Sequence, residues 1–236
     1  MYHQPNEFEG AKIDVPKAVE PTIFPSTILK EIRSWAMTLL VLGVISIFAS
    51  GFLSAPWGVL LIIVGLASFY FRSSAIMVVY GVTLAWAGVS NLTSGQGFWI
   101  GFALFQGYLV FRVFQKFIAF RRAEVNFGEQ EAATYGLVPQ RSASLYPWTA
   151  CLLGVISLLG LIGIFVGAVA FIVVTESQAV PQFIIFMEGL IVNFGVLSFA
   201  IGLASVLSKH PRKAVAITGM VTGILTTLIE LILRFI

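Results

Sequence analysis

The side chain that most invites chemistry in this sequence is a carboxylate inside an apolar run. Glu188 stands in Phe186-Met187-Glu188-Gly189-Leu190, with aliphatic and aromatic residues continuing on both sides. A carboxylate in a bilayer costs about 2.5–3.5 kcal/mol on insertion scales. Such a group is protonated, paired or facing water. It offers two kinds of chemistry: a proton or cation site near the outer mouth of a pathway, or a hydrogen bond that fastens its helix to a neighbour. Asn193, the second member of this candidate site, lies deeper on the same helix. At ~100° per residue the two are about 140° apart and share no face. Glu230 and Arg234 have i, i+4 spacing near the far end of the last apolar run, which predicts a local ion pair.

Other chemistries are excluded by what the chain lacks. The two histidines, His3 and His210, fall outside the apolar runs, so a histidine-ligated haem is not expected. The single cysteine, Cys151, gives no disulfide framework and no cysteine-based metal centre, and reads as a small packing residue. There is no H-E-x-x-H, no G-x-S-x-G and no P-loop. No lysine lies deep in an apolar run. No catalytic site, metal or cofactor is expected, beyond a bound lipid or isoprenoid.

Three patterns point to packing and lipid. Arg112, Lys116, Arg121 and Arg122 gather at one end of an apolar run, a candidate contact for anionic lipid headgroups. Trp99, Phe102, Phe105, Tyr108, Phe111, Phe114, Phe117 and Phe120 recur every third residue. Three residues advance about 300°, so this row winds around the helix and cannot form one stripe. Gly163 with Gly167, and Gly219 with Gly223, have the small-xxx-small spacing that lets helix backbones approach. They are the candidate helix-packing positions. Asn91-Leu92-Thr93 fits a glycosylation triplet but sits at a membrane edge and is expected to be unmodified.

The elements that must position these residues follow from composition. Of 236 residues, 58% are hydrophobic and 11% charged, against about 25% charged in soluble domains. The expected fold is therefore all-α: a polytopic integral membrane protein. A span needs ~20 apolar residues, and seven apolar segments follow a polar tail. They run over 35–53, 57–71, 74–92, 98–120, 147–174, 181–207 and 214–235. Continuous apolar runs favour helices over barrel strands, which would alternate. The expected organisation is a cytoplasmic tail at 1–33, a four-helix segment at 34–120, a connecting loop at 121–146 and a three-helix segment at 147–236. Within the tail, residues 28–33 are expected to form a short interfacial helix. Lys and Arg concentrate in alternate connections, which predicts the N-terminus inside and the C-terminus outside. The 57–71 segment is the shortest.

Two short words recur. Leu42-Gly43-Val44-Ile45-Ser46 returns as Leu153-Gly154-Val155-Ile156-Ser157, and Gly65-Leu66-Ala67-Ser68 returns as Gly202-Leu203-Ala204-Ser205. The end of the chain carries Gly195-Val196-Leu197-Ser198-Phe199-Ala200-Ile201-Gly202, then the basic turn Lys209-His210-Pro211-Arg212-Lys213, then Ala216-Ile217-Thr218-Gly219-Met220-Val221-Thr222-Gly223-Ile224-Leu225. This stretch resembles small bacterial two-helix membrane domains of unknown function. The resemblance implies a bacterial protein of the cytoplasmic membrane without assigned chemistry, and the proline in the turn departs from the glycine of that pattern.

The expected function is accordingly non-enzymatic: an accessory or scaffold subunit packing against other membrane proteins, a second copy of itself, or lipids. The alternative is a small transporter or channel with a proton or cation site at Glu188. Nucleic acid is not an expected partner, because the net charge of +3 follows from the inner connections.

Overall fold

The computed structural model describes residues 25–50, 56–69, 73–93, 97–126, 145–175, 181–207 and 212–235. Among the described residues every regular element is an α-helix, and there are seven: α1 (Pro25–Ser50), α2 (Pro56–Ala67), α3 (Ile76–Thr93), α4 (Gly97–Asn126), α5 (Leu145–Thr175), α6 (Gln182–Leu207) and α7 (Lys213–Phe235). Proline opens or precedes four of them. Pro25 and Pro56 begin α1 and α2, Pro147 lies in the first turn of α5, and Pro181 accepts the first amide of α6 from Ile184 at 2.9 Å. The missing N–H of proline costs nothing at a helix start, and its fixed φ suits the first turn.

Four helices are long and apolar enough to cross a membrane, over Ser26–Ala49, Tyr146–Thr175, Gln182–Leu207 and Lys213–Glu230. The other three differ from that pattern for physical reasons. α2 has 12 residues, about 18 Å of helix at 1.5 Å per residue, against ~30 Å of hydrocarbon. The apolar stretch of α3, Ile76–Leu92, falls just short of the length of those four. α4 is long, with 30 residues, but Gln106, Arg112, Gln115 and Lys116 interrupt its apolar surface. Residues 28–33 form no separate interfacial helix. They continue without a break into α1, because Ile28 and Ile32 lie on the buried face that Ala36 and Leu39 extend. α4 runs on to Asn126, into the connection, whose first part is expected to be partly helical. The tail before residue 25 and the connection from 127 to 144 lie outside the described residues, as do His3, His210 and Glu176.

The packing divides the chain. α5, α6 and α7 form one tight three-helix unit, while α1 pairs with α2 and α3 with α4. α6 joins the two parts by touching α3 and α2. Its centrality shows in burial: 56% of its apolar window is covered, against 11% for α5. The repeated words lie at helix crossings, but the crossings differ: the first copies pack within the α1–α2 hairpin, whereas Gly202 of the second packs on α7. Gly43 lies against Gly58 and Ile62 on α2, and Gly154 lies against Ser198 on α6. Gly65 meets Ala36 and Leu40, and Gly202 meets Ala216 and Met220. The serines that close the words are all buried, and Ser68 and Ser205 both bond back to the carbonyl four residues earlier. Glycine is required at these crossings because a Cβ would meet a neighbouring helix, and a back-bonded serine hides its hydroxyl from an apolar surrounding.

Candidate functional site

Thirteen polar or charged side chains are buried among the described residues, and several of them join one helix to another. The densest group is in the three-helix unit. The Ser198 hydroxyl on α6 lies 2.6 Å from the carbonyl of Ala150 on α5 and 2.7 Å from that of Gly219 on α7. One hydroxyl thus faces a carbonyl on each of two neighbouring helices. Those helices come that close because Gly219 has no Cβ: one built there would sit 2.5 Å from the Ala150 carbonyl carbon and 2.7 Å from the Cys151 nitrogen. Two turns on, Ser157 of α5 donates to the Ile191 carbonyl of α6 at 2.8 Å. Gly223 lies against Gly195 and Phe199 of α6.

Glu230 ends this seam. Its side chain is fully buried, at 0% exposure. Antiparallel packing pairs Gly202 with Ala216 and Gly195 with Gly223, which brings Glu188 on α6 to about the same level as Glu230. The sequence treated Glu230 as half of a surface pair with Arg234, of which the structure describes only the backbone. The missed signal was periodicity. Ala216, Gly219, Gly223, Thr226 and Glu230 alternate three- and four-residue steps, and all five are buried. The glycine face of α7 therefore leads straight to the carboxylate.

The two residues of the predicted ion site are separated. Glu188 is half-buried near the start of α6. Asn193 is buried, and its Oδ1 accepts a hydrogen bond from Trp86 Nε1 of α3 at 2.9 Å. That bond crosses between the two parts of the bundle, and Trp86 was not singled out in the sequence. A second amide pair lies between α3 and α4, where Asn91 Nδ2 donates to Gln106 Oε1 at 2.8 Å. Asn91 belongs to the glycosylation triplet, and its side chain is buried. Asn193 Nδ2 and Gln106 Nε2 are buried and find no acceptor among the described residues.

The basic cluster is split in the same way. Lys116 forms an ion pair with Glu31 of α1 at 2.9 Å. Arg121 donates from Nη2 to the Leu207 carbonyl at 3.1 Å, satisfying one of the orphan acceptors at the C-terminus of α6. Arg112 and Arg122 are exposed. So half of the expected lipid-contact set is engaged within the chain. The glycines divide too: Gly219 and Gly223 lie at helix crossings, whereas Gly163 and Gly167 have nothing within 4 Å. Among the described residues these last two are not packing positions. They lie on the C-terminal half of α5, where Phe165, Val166, Val169, Val173 and Val174 are all exposed.

The aromatic row of α4 winds as its spacing requires. Phe105, Tyr108 and Phe111 are exposed, Phe114 lies against Gly81 of α3, and Phe117 and Phe120 are buried in the core. Among the described residues no group of three or more His, Cys, Asp or Glu side chains is placed to hold a metal ion. An apolar cavity of about 130 Å³ lies between α2, α3, α5 and α6. Comparison with protein-family models, with curated proteins and with solved structures finds no match for this chain.

Proposed function

We propose that this chain is a non-enzymatic integral membrane protein, an accessory or scaffold subunit that packs against other membrane proteins and lipids. In this reading the apolar segments are seated in a bacterial cytoplasmic membrane with the N-terminus inside. The alternation of Lys- and Arg-bearing connections with uncharged ones supports that orientation. One observation carries the reading. Trp86, Asn193, Asn91, Gln106, Ser157 and Ser198 each make a hydrogen bond from one helix to another. A pathway would need polar groups left facing a shared channel, whereas these join helices. The exposed C-terminal half of α5 supplies the surface for a partner. Gentle extraction of the tagged protein from its native membrane, followed by sizing and mass spectrometry, tests this. Co-elution with other membrane proteins in fixed ratio is expected, and elution as a lone monomer contradicts it.

A second reading, proton- or cation-linked transport at Glu188, is favoured by one placement: Glu188 lies about level with the fully buried Glu230 of α7. In reconstituted vesicles Glu188→Gln would then abolish a flux that the native protein supports, with helical content unchanged. An unaltered flux removes this reading.

A further inference from the structure

We infer that the cavity between the two parts of the bundle is a binding crevice for a segment of one acyl chain of an anionic glycerophospholipid. The inference rests on the membrane embedding proposed above. The cavity of about 130 Å³ is walled by Ile63, Val64, Ala67, Ile76, Leu153 and Ile201 among others, so four helices from both parts contribute. Its size is close to that of engineered apolar cavities of ~150 Å³, which stay dry and take up small hydrocarbons. Water is a poor occupant, since the wall gives it almost nothing to bond.

Position selects the chain of a lipid over other apolar molecules. Ala67 ends α2, Ile76 begins α3 and Tyr146 lies in the first turn of α5. The crevice therefore starts at one end of the bundle and runs inward along α5 as far as Leu153, about 10 Å at 1.5 Å per residue. The two hydroxyl-bearing wall residues, Tyr146 and Thr149, are both at the starting end. Basic residues stand at that same end. Ala150 packs against Gly219 with α5 and α7 parallel, so exposed Lys213 lies about 3 Å beyond Tyr146 along the helix axis. Exposed Arg122 follows Arg121, which is bonded to the end of α6. An apolar slot with cations at the same end of the bundle matches a hydrocarbon chain beneath an anionic headgroup.

The test uses the full chain in vesicles of phosphatidylcholine containing phosphatidylglycerol with a diazirine in one acyl chain. After illumination, labelled peptides are mapped by mass spectrometry. Labelling of residues 63–67, 76–79 or 146–153 is expected, suppressed at least tenfold by excess unlabelled phosphatidylglycerol but not by phosphatidylcholine. Exposed positions such as Leu159 and Val166 should label without saturating. Ala67→Phe, which fills the slot, should lose the saturable labelling, and Leu153→Phe provides a second filled slot if the first variant misfolds. Labelling of the exposed positions with none in the crevice overturns the proposal and leaves the membrane embedding intact. Crevice labelling competed equally by phosphatidylcholine overturns the anionic selectivity. Absence of labelling everywhere overturns the embedding itself, and the proposal with it.

Discussion

Replacing Gly219 by alanine adds one methyl group where α5 and α7 touch. Its Cβ would lie 2.5 Å from the carbonyl carbon of Ala150, and 2.7 Å from that residue's oxygen and from the Cys151 nitrogen. Carbon atoms sit comfortably at about 3.5–4.0 Å, so the two helices must part by about 1 Å. Backbone is on the far side of the contact, and no flexible side chain can give way. Ser198 spans that same gap with contacts of 2.6 and 2.7 Å to the two carbonyls. Opening it by 1 Å takes one of them beyond hydrogen-bonding distance. Overpacking costs about 1–3 kcal/mol, and a lost interhelical bond in a membrane protein adds about 0.6 kcal/mol. Gly163→Ala is the control. It meets nothing within 4 Å, and alanine improves helix propensity by up to about 1 kcal/mol. Thermal unfolding in detergent, followed by circular dichroism, should place Gly219→Ala about 5–10 °C below the parent, using ~2–4 °C per kcal/mol for a chain of this size. Gly163→Ala should match or exceed the parent. Equal losses for both variants, or a larger loss for Gly163→Ala, would refute the packing argument.

Three further outcomes follow from individual contacts. In a double-mutant cycle of Trp86→Phe and Asn193→Leu, unfolding free energies should show a coupling of about 0.6–1.7 kcal/mol; zero coupling would mean that the 2.9 Å bond contributes nothing. Gln106→Leu alone leaves the buried Asn91 amide without this acceptor, at a cost of about 1–3 kcal/mol. Adding Asn91→Leu should recover most of that loss, and a double variant worse than either single one speaks against the pairing. The Lys116–Glu31 pair is about one-third exposed on each side, so Lys116→Ala should cost less than about 1 kcal/mol, and the difference should vanish in high salt.

Much of the fold was readable because the bilayer reduces the problem to length and apolarity. The seven segments reappear as the seven helices, since a continuous apolar run satisfies its backbone only as a helix. Crossing capacity was less readable. Residues 57–71 look apolar throughout, yet α2 ends at Ala67, where the Ser68 hydroxyl turns back to the Val64 carbonyl. The site was harder still. Gly163-x-x-x-Gly167 and Gly219-x-x-x-Gly223 are identical as patterns, and only the position of neighbouring helices decides that one pair is covered and the other bare. Trp86 and Asn193 are 107 residues apart, so nothing local announces their bond. Glu230 was legible in principle, because its three- and four-residue spacing from Gly219 through Gly223 and Thr226 puts it on the packed face. The i, i+4 partner Arg234 offered a simpler local account that hid this one.

The central claim is that the chain works by presenting helix surface to a membrane partner. Its most direct test is site-specific photocrosslinking from Val173, which is 71% exposed on the C-terminal half of α5. A photoreactive residue there, activated in native membranes, should give one discrete protein adduct that is absent when the same residue replaces buried Leu161. Lipid adducts alone from Val173, with no protein adduct at any level of expression, would contradict the account.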